Sequence, residues 1–90
     1  MQNMTADQIA AEIPALLDER RLLALELRLG METSEAHRRS LQRRLALLDT
    51  RVQRLEVAVS IARRTDGPLA LESARRALTD CWRVTGSLAN

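Results

Sequence analysis

Residues 41–62 read LQRRLALLDTRVQRLEVAVSIA, and within them Leu41, Leu45, Leu48, Val52, Leu55, Val59 and Ala62 follow one another at alternating spacings of four and three. That spacing holds the side chains on one stripe of an α-helix and is the seam of a coiled coil. The nearest punctuation on either side is Gly30-Met31-Glu32-Thr33-Ser34 and Thr65-Asp66-Gly67-Pro68, which predicts a helix over about residues 34–64. About thirty residues rising 1.5 Å each extend about 45 Å. A compact domain of this length has a diameter of only about 30 Å. The helix overshoots a globule, so the molecule is expected to be elongated.

The flanking segments carry the same period. Ile9, Ile13, Leu16, Arg20, Leu23 and Leu27 keep it over about residues 5–29, behind Thr5-Ala6-Asp7-Gln8, which has the spacing of a capping box. Pro14 falls inside that run and predicts a kink or a split. Leu71, Ala74, Leu78, Cys81, Thr85 and Leu88 keep the period over about residues 68–85. Composition agrees: sixteen Leu and thirteen Ala stand against seven Val plus Ile, with no Phe or Tyr and Trp82 as the sole aromatic. Such a chain favours helix and excludes a mainly β or doubly wound α/β fold. The expectation is an all-α protein, a single helical domain over 1–90. An antiparallel, coiled-coil-like helical hairpin carries a shorter third helix, and dimerisation could complete the bundle.

Charge suggests the register. All fourteen basic residues are Arg; residues 1–30 sum to −2, residues 31–65 to +4 and the rest to zero. Written as heptads, the first two seams are flanked at g by Glu12, Glu19 and Glu26 and by His37, Arg44 and Arg51. Antiparallel coiled coils bring g against g, so a tight turn at residues 30–33 predicts the pairs Glu26–His37, Glu19–Arg44 and Glu12–Arg51. The rival is a parallel homodimer of the second helix, in which Arg44 would meet Asp49 and Arg51 would meet Glu56 of another copy.

Apolar residues exceed what one seam per helix can bury. Leu22, Leu25 and Leu29 form a second stripe on the first helix, and Leu47, Val57 and Ile61 form another on the second. A contiguous exposed patch of this kind binds another protein or a second copy; the bland alternative is that the third helix covers most of one face. Trp82 joins this candidate set as a residue type enriched at interface hot spots.

Catalytic and metal chemistry find little material. His37 is the only imidazole and has no nucleophile near it in sequence, Cys81 sits on an apolar stripe, and three isolated glycines make no phosphate loop. No enzymatic activity, cofactor, metal or small-molecule substrate is expected. No run approaches a membrane span and the N-terminus lacks the pattern of a signal peptide, so a cytoplasmic protein with no membrane partner is expected.

Three local resemblances can be named. Leu16-Leu17-Asp18-Glu19-Arg20 resembles the start of the first helix of the small all-helical chorismate mutases, but the lysine that family places farther along has no counterpart in a chain without lysine. Leu55-Glu56-Val57-Ala58-Val59-Ser60-Ile61-Ala62 resembles part of the helical-hairpin co-chaperones of type III secretion needle subunits, over about one helix and without a signature residue. Residues 29–39 resemble the turn and second helix of a helix-turn-helix, followed by Arg38, Arg39, Arg43 and Arg44; Gly30 and Ala36 fit that pattern, and Glu26 departs from the small residue it needs. The function expected first is a protein–protein interaction module, such as an adaptor, co-chaperone or assembly subunit. The alternative is a DNA-binding regulator using residues 24–44.

Overall fold

The computed structural model describes residues 4–30, 34–65 and 67–86. They form four α-helices: α1 (Ala6–Ala10), α2 (Ile13–Leu29), α3 (Glu35–Thr65) and α4 (Pro68–Thr85), with no strand among them. The shape is elongated, 48 × 25 × 17 Å with a radius of gyration of 14.7 Å.

Local chemistry accounts for each boundary. The Thr5 hydroxyl accepts from the Gln8 amide at 3.2 Å while the Thr5 amide donates to Gln8 Oε1 at 2.8 Å, a closed capping box. Pro14 then splits the first helical run rather than kinking it. With no N–H to carry the ladder on, it takes the first turn of a new helix, where its fixed φ is already suitable. Residues 11 and 12 form the turn between α1 and α2. Ser34 accepts from the His37 amide at 3.2 Å at the start of α3. Pro68 opens α4, and Gly86 closes it in the left-handed region at φ 78, donating its amide to Trp82 O at 3.1 Å.

The core runs the length of α3. Leu41, Leu48, Val52, Leu55, Val59 and Ala62 are buried and Leu45 is half-buried, so the heptad seam of α3 is the spine of the molecule. Ala74, Leu78, Cys81 and Val84 close on it from α4, Leu16 and Leu23 from α2, and Ile9 from α1. Every buried residue on these helices is apolar.

The most extensive packing is between α3 and α4, which makes the tighter hairpin the second one. Both α2 and α4 run antiparallel to α3, as the pairs Glu26–His37 and Arg20–Asp49 show on one side and Arg44–Val84 and Arg51–Asp80 on the other. The two helices lie on neighbouring flanks of α3 and touch each other little; α1 bridges to both α3 and α4.

The expected charge register requires correction. Glu26 and His37 meet at 3.3 Å, but Glu19 does not pair with Arg44, nor Glu12 with Arg51. Arg44 instead donates to the carbonyls of Val84 and Thr85 at 3.3–3.4 Å, and Arg51 donates to Asp80 O at 3.1 Å. Both arginines stand on the flank that α4 occupies. The Val84 and Thr85 carbonyls in the last turn of α4 lack intrahelical donors, and a cation there also complements the helix dipole, so α4 takes Arg44 from α2; Arg51, one turn of α4 earlier, adds a bond to the Asp80 carbonyl. A register that set Glu19 against Arg44 would put Arg20 opposite Arg43; the actual partner of Arg20 is Asp49, six residues farther on. Asp7 and Arg63, 2.9 Å apart, fix the far end.

The same facts bear on the parallel homodimer. Its seam is buried within one chain, Asp49 is held by Arg20, and Arg44 and Arg51 are held by α4. A zipper through those residues is not available to the folded monomer.

Candidate functional site

Six aliphatic residues singled out by periodicity are all exposed: Leu22, Leu25 and Leu29 on α2, and Leu47, Val57 and Ile61 on α3. The reason lies in where α4 went. It packs along the α3 spine through its own apolar stripe and leaves the backs of α2 and α3 to solvent. On α2, Leu22, Leu25 and Leu29 stand roughly opposite the buried Leu16 and Leu23. Trp82 differs from the six. It is half-buried against the core, on a flank of α4 about 120° around the helix from Ala70.

The exposed face of α3 has an order of its own. Arg43, Leu47, Thr50, Arg54, Val57, Ile61 and Arg64 are all exposed, and their spacing alternates four and three, a second heptad line down one helix. Between this line and α4 lies a groove of about 500 Å³. Val57, Ala58 and Ile61 form its α3 wall, Ala70 and Ser73 its α4 wall, and Arg54 is the one charged residue of its lining among the described residues.

Two exposed leucines escaped the periodic reading. Leu17 lies to the side of the α2 stripe, and Leu69 sits in the first turn of α4 beside Pro68, off the buried stripe of that helix.

The arginines proposed for nucleic acid do not converge. Arg38 and Arg43 are exposed, Arg39 pairs with Glu35 at 3.7 Å, and Arg44 is turned inward onto the end of α4. At 100° per residue these four radiate around α3 rather than lining one face. The two helices that flank residues 30–34 run antiparallel, whereas a helix-turn-helix crosses its helices at a steep angle.

Reactive groups are few. Burial, helped by the neighbouring Asp80 charge, pushes the Cys81 thiol up to about 11, so near neutral pH it is a small protonated hydrophobe. The Asp49 carboxylate, chiefly through its hydrogen bond and then through its charge, holds the Arg20 guanidinium above its ordinary value. No cluster of three or more His, Cys, Asp or Glu that could hold a metal ion exists among the described residues. No helix among them is long and apolar enough to cross a membrane.

Compared with protein-family models, curated proteins and solved structures, the chain matches none.

Proposed function

We propose that this chain is a non-enzymatic protein–protein interaction module, a small adaptor, co-chaperone or assembly subunit that offers apolar helical faces to a protein partner or to a second copy of itself. One observation carries the reading. The core closes around α3 without Leu22, Leu25, Leu29, Leu47, Val57 or Ile61, and no buried side-chain polar atom among the described residues lacks a partner. A core that closes without six aliphatic side chains leaves much of their apolar surface in water, and exposed apolar surface at helical spacing is what interaction sites are built from. The DNA-binding alternative has less support, because its four arginines are spread around α3 and one of them is occupied by α4.

The test compares the wild-type chain with L25D/L29D by sedimentation velocity over a concentration series and by binding of an apolar fluorescent dye. The wild type is expected to self-associate or to bind dye. The double variant is expected to lose most of that behaviour while keeping its helix content, since Leu and Asp differ by only about half a kcal/mol each in helix propensity. A double variant that unfolds would show the stripe to be core. A wild type that is monomeric and binds no dye would remove the basis of the proposal.

A further inference from the structure

We infer that the groove between α3 and α4 is the docking site for an amphipathic helix of a different protein, one that carries carboxylates beside its apolar stripe. This deepens the interaction-module reading and rests on it. Shape is the first argument. Residues 50–61 of α3 line the groove over about 17 Å, or three helical turns. The opposite wall is made by small residues, Ala70 and Ser73, which let a helix backbone approach closely. Val57, Ala58 and Ile61 supply an apolar wall of the kind a helix reads with side chains at i, i+3 or i+4, and i+7.

Charge selects the occupant. Arg54 is the only charge among the described residues of the lining, and Arg43 and Arg64 continue the same exposed line beyond each end. Arg43 and Arg54 form no ion pair with any other described residue. The α4 carboxylates Glu72 and Asp80 each have an arginine of their own helix within 4 Å: Arg75 at 3.4 Å for Glu72 and Arg83 at 3.9 Å for Asp80. An apolar floor beneath a row of guanidiniums that have no ion pair among the described residues attracts a helix edged with Glu or Asp and repels one edged with Lys or Arg.

The same charges argue against a second copy. A two-fold contact through this face would bring each copy's arginine row against the other's. The α2 stripe of another copy has Asp18 in line with it and Glu26 on one border, but Arg21 and Arg28 on the other, and that basic border would meet Arg54. A helix with carboxylates on both borders meets the arginine line without that opposing charge, which assigns the partner to a separate chain.

The experiment uses two synthetic helical peptides of about three to four turns with the same leucine stripe, one edged with Glu and the other with Lys. Their binding to the full chain is followed by fluorescence anisotropy. The Glu peptide is expected to bind about tenfold or more tightly than the Lys peptide. R43E/R54E should invert the preference, raised salt should shrink it, and V57D/I61D should abolish binding of both, with circular dichroism confirming that each variant is folded.

Equal binding of the two peptides, lost in V57D/I61D, would overturn the charge selection while leaving the interaction-module reading intact. Binding indifferent to V57D/I61D would place the site elsewhere. Failure of both peptides together with self-association that V57D/I61D abolishes would make a second copy the occupant. Failure of both with a monomeric wild type would overturn the groove as a docking site.

Discussion

Leu55 and Val57 stand two residues apart on α3 and face opposite environments, which makes them a sharp pair of perturbations. Leu55 is 0 % exposed and Val57 is 58 % exposed. Leu55→Ala removes buried methyl groups from the middle of the spine and leaves a cavity that a helix held on two flanks cannot collapse around. Substitutions of that kind cost about 3–5 kcal/mol. A chain of this length has about 5–13 kcal/mol of total stability, so the loss is a large share of the whole. For a domain of this size each kcal/mol lowers Tm by about 4–8 °C, giving an expected fall of roughly 12 °C or more.

Val57→Asp should behave differently. Val and Asp have similar helix propensity, and exposed substitutions away from caps and networks stay within about 0.5 kcal/mol. Both variants are read by thermal and urea unfolding followed by far-UV circular dichroism, at concentrations where the chain sediments as one copy. A Val57→Asp loss equal to that of Leu55→Ala would refute the reasoning, because it would put Val57 inside the core.

Other outcomes follow from the same geometry. Arg44→Ala removes the charged donor from the Val84 and Thr85 carbonyls and should destabilise the fold by about 1–2 kcal/mol, with loss of exchange protection concentrated in α4; an unchanged urea midpoint would count against that capping role. His37→Ala breaks only an exposed pair with Glu26 and should change stability by less than about 0.5 kcal/mol. For Cys81 the folded thiol titrates above its ordinary value of 9.0, at about 11, so the protonated form is the one the fold favours. Its contribution is complete below about pH 9 and is lost as pH rises toward about 11, so alkaline titration of urea midpoints should fall in that window for the wild type and less for Cys81→Ala. A disulfide-exchange reagent at neutral pH should correspondingly label Cys81 only as fast as the chain opens.

The long helix was legible from its own residues because Leu41 through Ala62 obey one period without interruption, and burial follows that period in the structure. The capping box at Thr5 and the break at Pro14 were legible for local reasons, hydroxyl spacing and a missing donor. The exposed sets on α2 and α3 could be read as residues outside the seams. Partner assignment for the arginines could not. A heptad rule pairs side chains with side chains, but Arg44 and Arg51 bind main-chain carbonyls of α4, which carry no mark in the amino-acid code. Val84 escaped for a related reason. It lies off the weak seam of α4 and becomes buried only because α4 settles more tightly on α3 than α2 does. The line Arg43, Leu47, Thr50, Arg54, Val57, Ile61, Arg64 became visible as a surface only once α4 supplied its second wall.

The most direct test of the account is methyl NMR of the dilute, monomeric chain with a soluble paramagnetic probe, which broadens each methyl according to its access to water. Methyls of Leu22, Leu25, Leu29, Val57 and Ile61 should broaden strongly and those of Leu16, Leu48 and Leu55 should stay sharp. Sharp signals from the α2 and α3 outer sets in a single copy would contradict it.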